Sequence, residues 1–167
     1  QKIVAAGLDG IVAQGWQAGG HRGLFDENGP DERLETLALL AVLKGVGLPL
    51  IAAGGIMSRA DVQAVLAAGA VAAQCGTAFL VADEAGTSAA HRAALESGAT
   101  RMTRAISGRP ARGVENIISS RDDSAAPDYP LPYSALKALH AAASKAGENG
   151  YGPFWAGTGC AHARPGP

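Results

Sequence analysis

Gly47 to Leu80 reads GLPLIAAGGIMSRADVQAVLAAGAVAAQCGTAFL, and the order of its apolar runs and glycines points to the fold. Pro49 to Ala53 is a short apolar run ended by Gly54 and Gly55, the form of a buried parallel strand entering a forced turn. Ser58 with Asp61 three residues later makes a capping-box start for an Ala-rich helix over Ala60 to Ala68, which Gly69 stops. A further strand, Val71 to Cys75, runs into a second turn at Gly76 and Thr77. Strand, turn, helix, turn and strand in this order form a βαβ unit, with parallel strands and a right-handed crossover.

Upstream the same pattern repeats. GLDGIVAQG holds a glycine-bounded strand at Ile11 to Ala13, and Arg33 to Lys44 spaces Leu34, Leu37 and Leu40 as a helix stopped by Gly45. Downstream a helical piece covers Ala89 to Ser97. The class is therefore α/β, with parallel βα units over residues 1–99. From Thr100 the pattern changes. TRMTRAISGRPARG reads as a polar, Arg-rich link, Ser119 to Pro132 as a loop, and Tyr133 to Lys145 as an amphipathic helix. Gly147 to Pro167 reads as an irregular tail anchored by Phe154 and Trp155, so residues 100–167 form an appended helical and irregular segment.

Composition excludes several classes of function. Lys and Arg number 14 against 15 Asp and Glu, a formal charge of -1 that offers no bulk attraction to nucleic acid or to an anionic membrane. No apolar run approaches the ~20 residues that span a bilayer, and the N-terminus has no signal-peptide pattern, so a soluble cytoplasmic protein is expected. Cys75 and Cys160 are too few for a disulfide framework and are expected as reduced thiols. The chain begins with Gln1 and enters structure at once, which leads us to expect a fragment or a processed chain.

In parallel α/β folds ligands lie beyond the carboxyl ends of the strands, so the loops there carry the functional expectation. Residues 14–23, QGWQAGGHRG, bring backbone close to a ligand at Gly19 and Gly20 and supply His21, which titrates near neutrality. AAGGI (52–56) and QCGT (74–77) lie one βα unit apart, and their glycines feed helix N-termini, where N–H groups and the helix dipole favour an anion. Gly54, Gly55, Gly76 and Thr77 together make a phosphate cradle. Such a cradle follows the seventh and eighth strands of a (β/α)8 barrel, which places the His21 loop after strand six. Arg101, Arg104, Arg109 and Arg112 lack interleaved aromatics and read as a solvated linker, more than as a nucleic-acid patch or an anion-binding loop. His91, His140 and His162 share no ligand spacing, so no metal is expected, and neither a G-x-S-x-G elbow nor a P-loop is present.

QGWQAGGHRG, PLIAAGGIMSRADVQAVLAAGAVAAQCGTAFL and TRAISGRPARG resemble the C-terminal half of nitronate monooxygenases, formerly called 2-nitropropane dioxygenases, over about residues 1–120. The later Trp155 to Gly157 is similar to another element of that family. The resemblance implies the C-terminal part of a (β/α)8 TIM barrel that binds FMN and oxidises alkyl nitronates with dioxygen, without a nicotinamide. Gln14 and Gly19 match positions that contact FMN, Gly55 matches a phosphate-binding glycine, and Gln74, Cys75, Gly76 and Thr77 match the segment around the phosphate. His21 matches the catalytic histidine, which would take the α-proton of a nitroalkane or hold the nitronate.

The chain departs from that family in three respects. Gln17 stands where the family commonly has Glu, which removes a charge beside His21. Cys75 replaces a frequent apolar residue, as a buried thiol can. A full barrel needs about 250 residues, so a missing N-terminal half or a companion chain is expected to cover the open strand edges, and a homo-oligomer is compatible with this. Three rival readings stand beside it. One is an FMN-dependent enoyl-acyl-carrier-protein reductase using NAD(P)H, which resembles the same glycine loops. Another is a non-catalytic flavin- or phosphate-binding half-barrel subunit. The third is a phosphorylated-metabolite enzyme sharing only the cradle, against which His21 argues.

Overall fold

β1 (Ile11–Gln14), β3 (Leu50–Ala53) and β4 (Ala72–Gln74) form a parallel sheet in that order, with Ile11 paired to Leu50 and Ile51 to Ala72. Each strand neighbours the next one of the sheet in chain order, the arrangement of consecutive βα units. The computed structural model describes residues 2–27 and 29–165; Gln1 and the last two residues of the expected irregular tail lie outside them.

The helices follow local signals. α2 (Thr36–Leu43) starts later than the expected Arg33, because Arg33 sits at φ 54°, a left-handed conformation that a helix cannot include. α3 (Arg59–Ala67) begins with the expected capping box: Ser58 Oγ accepts from Asp61 N, and the Asp61 carboxylate accepts from Ser58 N. α1 (Lys2–Ala5) and α4 (Ala89–Leu95) are short, and α5 (Leu131–Lys145) starts two residues before the expected Tyr133. Pro132 fits its first turn, where a missing N–H costs nothing.

Helices cover one face of the parallel sheet only. Ile11, Ala13, Leu50 and Ala52 are buried in a core with Leu40 of α2 and Val65 of α3. The alternate residues behave differently: Val12 is 48% exposed, and Ala72 and Gln74 are exposed as well. A strand fully buried on both faces was the expectation, and the open inner face departs from it because these residues meet no second layer.

The stretch expected to be an Arg-rich link is instead a hairpin. β5 (Thr100–Thr103) and β6 (Ala111–Val114) pair antiparallel, and β2 (Gly20–His21) adds to β6 on its other side. Residues on both sides of position 99 thus share one sheet. TRMT and ARGV carry no alternation of apolar and polar residues, which is why the pairing is invisible locally. Gly108 makes the turn at φ 86°, where a side chain would strike the carbonyl of Pro127.

Val114 joins a second core with Leu95, Phe154, Ala156 and Cys160. The tail is irregular apart from a 3-10 turn at Cys160–His162, and it is anchored as expected: Phe154 is buried and Trp155 bridges to Gly113. No helix among the described residues is long and apolar enough to cross a membrane.

Phe154 lies between two histidines, with the His91 ring stacked at 5.0 Å and the His140 ring edge-on at 5.9 Å. Burial holds the His91 imidazole below its ordinary value, partly offset by a backbone hydrogen bond at Trp155. A depressed folded pKa favours the neutral ring, so this contribution is complete above about pH 6.5 and is lost as the ring is forced to charge below it. The thermal midpoint is expected to fall between about pH 7 and about pH 5. His91→Leu is expected to flatten part of that slope; an unchanged slope in the variant would refute the assignment.

Candidate functional site

At the carboxyl ends of β1, β3 and β4 the backbone opens into a cleft of about 290 Å³. Gln14, Gly19, Gly20, Gly54, Gly55, Gln74, Cys75, Gly76 and Thr77 all line it, so the tertiary structure gathers every residue expected to bind a cofactor. Trp155, Gly157 and Gly159 of the tail complete the wall, a contribution signalled in the sequence only by Trp155 to Gly157.

Glycines close the seams of this wall. Gly54 has φ 108°, and a Cβ there would lie 2.9 Å from Ala18 N. A Cβ on Gly19 would lie 2.6 Å from the Ala156 carbonyl carbon, so the His21 loop and the tail meet backbone to backbone. Thr158 N holds that contact by donating to Gln17 O at 3.0 Å, and Gly157 N ties the tail to the loop after β4 by donating to Thr77 Oγ1 at 2.9 Å.

Of the two expected helix N-termini, one is the partly engaged start of α3 and the other is a 3-10 turn. Of the donors at the start of α3, Met57 N and Ser58 N are taken by the Asp61 carboxylate and Asp61 N by Ser58 Oγ. After β4 the chain enters a 3-10 turn, Thr77–Phe79, instead of an α-helix. The N–H groups of Gly54, Gly55, Gly76 and Thr77 have no acceptor among the described residues. These loop amides are donors left for an anion. Gly76 has no positive φ to explain it, and a Cβ there would meet nothing within 4 Å. A glycine facing open space in a cleft wall fits the close approach of a bound group.

His21 stands beside the cleft on β2 and is not among its lining residues. Its Nε2 lies 2.9 Å from Ser107 Oγ, and its ring is surrounded by Trp155 at 5.4 Å, Tyr129 at 5.9 Å and Tyr133 at 6.5 Å. Ser107, Tyr129 and Tyr133 were not singled out in the sequence, because they reach His21 through the hairpin turn and the start of α5. Burial, followed by the positive charge of Arg109, holds the His21 imidazole below its ordinary value, while Glu27 pulls the other way. The ring is therefore mainly neutral at pH 7.

Gln14 is oriented unambiguously. Its Oε1 accepts from Gly23 N at 2.8 Å and from Arg22 at 3.2 Å, and its Nε2 donates to the His21 carbonyl at 2.8 Å. Arg22 is fixed in turn by a two-pronged pair with Asp31, at 2.8 and 3.0 Å. Gln17 does not face His21, contrary to expectation: its Oε1 accepts from Thr36 N and Thr36 Oγ1 at 2.8 and 3.1 Å. The arginine cluster is not a solvated linker either. Arg112 is buried against the face of Trp16 at 4.9 Å, and Arg109 donates to the Leu24 carbonyl at 2.7 Å. Only Arg101 of the cluster lies at the open surface. Cys75 is half-buried, and burial with the nearby Asp61 charge raises its thiol pKa, so it remains protonated.

The family model for nitronate monooxygenase matches residues 1–167. The chain is 50% identical to a nitronate monooxygenase of Paraburkholderia phytofirmans over 98% of its own length and 47% of that protein's. It is 45% identical to a nitronate monooxygenase of Pseudomonas aeruginosa, over 97% of this chain and 48% of the relative. Among solved structures, a nitroalkane oxidase from Streptomyces ansochromogenes superimposes with a TM-score of 0.91 at 43% identity, covering 98% of this chain and 49% of that one. FabK from Thermotoga maritima gives 0.73 at 26% identity, covering 97% and 51%. The chain thus spans about half the length of the curated relatives it matches.

Proposed function

Because the chain belongs to the nitronate monooxygenase family, we propose that it forms the C-terminal half of a (β/α)8 barrel that binds FMN and oxidises alkyl nitronates with dioxygen. The observation that carries this reading is the convergence of Gln14, Gly19, Gly20, Gly54, Gly55 and Gln74 to Thr77 on one cleft with a neutral histidine at its border. The loop amides of Gly54, Gly55, Gly76 and Thr77 suit a phosphate, and Gln14, Gly19 and Gly20 suit the ring system that follows it. Bound FMN supplies the electron transfer and the oxygen chemistry.

The protein's own groups supply proton handling and charge. A neutral His21 accepts the α-proton of a nitroalkane, and the resulting imidazolium pairs with the nitronate anion. Arg109 opposes a charged His21, yet its positive charge favours the anion itself. Tyr129, Tyr133 and Trp155 pack around the His21 ring. The open inner face of the β1, β3 and β4 sheet, with Val12 and Gln74 exposed, is the surface a complementary barrel half would cover. That half would be part of the same polypeptide or a companion chain. The free thiols suit a reducing, cytoplasmic setting.

The test is the visible spectrum of the intact protein, with a small alkyl nitronate added in air and NADPH added without oxygen. Flavin absorbance, oxygen uptake with the nitronate and indifference to NADPH are expected. Rapid bleaching by NADPH would assign an NAD(P)H-dependent flavin reductase instead. Flavin binding without turnover would assign a binding subunit.

A further inference from the structure

We propose that Ser107 sets the tautomer of His21, keeping its ring proton on Nε2 and leaving Nδ1 as the basic nitrogen, an inference that rests on His21 being the proton acceptor. Ser107 is fully buried in the turn between β5 and β6, and its hydroxyl oxygen touches three polar atoms. They are His21 Nε2 at 2.9 Å, the Arg109 carbonyl at 3.2 Å and the Arg109 N–H at 3.4 Å.

A hydroxyl has one proton and two lone pairs, and a carbonyl can only accept. The Arg109 carbonyl has no other donor among the described residues, so the Ser107 proton belongs to it. The Arg109 N–H fills one lone pair. What remains toward His21 is the second lone pair, and it is satisfied only when Nε2 carries hydrogen. Reversing the bond, with Ser107 donating to Nε2, leaves the Arg109 carbonyl unpaired. Only the first assignment satisfies all three contacts at once.

The other ring nitrogen has the opposite situation. Nδ1 has no hydrogen-bond partner among the described residues, and it is not among the sealed, unpartnered buried atoms. It is therefore both unprotonated and reachable. Charged and titratable groups facing the ring are Arg109, Glu27, Tyr129 and Tyr133, and none makes a hydrogen bond to it. Ser107 thus acts as a positioning residue, through the hairpin turn that β2 joins by pairing with β6.

The direct measurement is the side-chain ¹⁵N spectrum of the flavin-loaded protein at a pH where His21 is neutral, assigned by comparison with His21→Asn. The Nε2–H pattern is expected, and an Nδ1–H pattern would overturn the proposal without touching the assignment of His21 as base. Ser107→Ala is expected to give a mixed tautomer pattern and to lower kcat/KM for a neutral nitroalkane by about tenfold, with a shifted acid limb in its pH profile. Turnover of pre-formed nitronate, which needs no proton removal, should be unchanged. Equal losses on both substrates would make Ser107 merely structural and refute the positioning role. If the variant does not fold, the spectrum of the unmodified protein still decides. The proton-acceptor role fails separately, if His21→Asn retains full activity on the neutral nitroalkane.

Discussion

Replacing His21 with Asn is expected to lower kcat/KM for a neutral nitroalkane by about 10²- to 10⁴-fold, the usual contribution of a positioned proton acceptor. Asn keeps a polar group of similar reach but cannot take a proton, so the loss reports basicity more than shape. The flavin spectrum should be retained, because His21 is not among the residues lining the cleft where the cofactor-matching positions converge. Stopped-flow or oxygen-uptake rates on the nitroalkane and on its pre-formed nitronate separate the two roles open to this residue. A large loss on the neutral form alone identifies a base, whereas comparable losses on both identify a nitronate-binding residue. Retention of full activity on both would remove His21 from the mechanism. The pH dependence has a definite sign under the proposed role: a proton acceptor works as the neutral ring, and burial and Arg109 lower its pKa. Activity on the neutral substrate should therefore persist below about pH 6.5 before it falls.

Replacing Arg22 with Ala is expected to destabilise the protein by about 1.5–3 kcal/mol, the range for hydrogen bonds to charged groups, since Arg22 is buried but its partner Asp31 only partly so. Arg22 is 7% exposed and does more than pair with Asp31. It donates to the Gln14 carbonyl, to Gln14 Oε1 and to the Gly15 carbonyl, each at 3.2 Å, and its guanidinium lies 5.4 Å from the Trp16 ring. Truncation leaves the Asp31 carboxylate without its fork and those oxygens with fewer donors. It also removes one of the two donors to Gln14 Oε1, leaving Gly23 N and the bond from Nε2 to the His21 carbonyl to hold the carboxamide in the cleft wall, so its position there is less firmly fixed. Urea unfolding of the intact protein measures the first effect, and flavin dissociation measures the second. Arg22→Lys should recover little of either, since an ammonium cannot match both Asp31 oxygens at once. A loss of less than about 1 kcal/mol, the range of an exposed pair, would contradict the buried reading.

Much of the parallel half of the molecule was legible residue by residue. The Ser58 and Asp61 capping box, the glycines ending each strand and the apolar runs between them are local signals, and β1, β3, β4 and α3 fall within two residues of their expected limits. The glycines that line the cleft were legible for the same reason. Neither the engagement of the α3 start by Asp61 nor the turn of Gln17 toward Thr36 was legible, since both depend on which donors a side chain finds after folding. The glycine loop after β1 drew attention to His21, but nothing in the sequence placed Ser107 or the tyrosines against it.

The sequence by itself determined the βα order, the turns and the glycine loops, because each is set by propensities and spacings within a few residues. Tertiary structure alone decided that Thr100 to Val114 becomes a hairpin onto which Gly20 and His21 dock, that Arg22 and Arg112 are buried, and that Ser107 meets His21 across 86 positions of chain. Those contacts join strands without apolar alternation and polar groups whose partners are distant in sequence. Their energies arise only once the chain has brought both ends together and removed them from water.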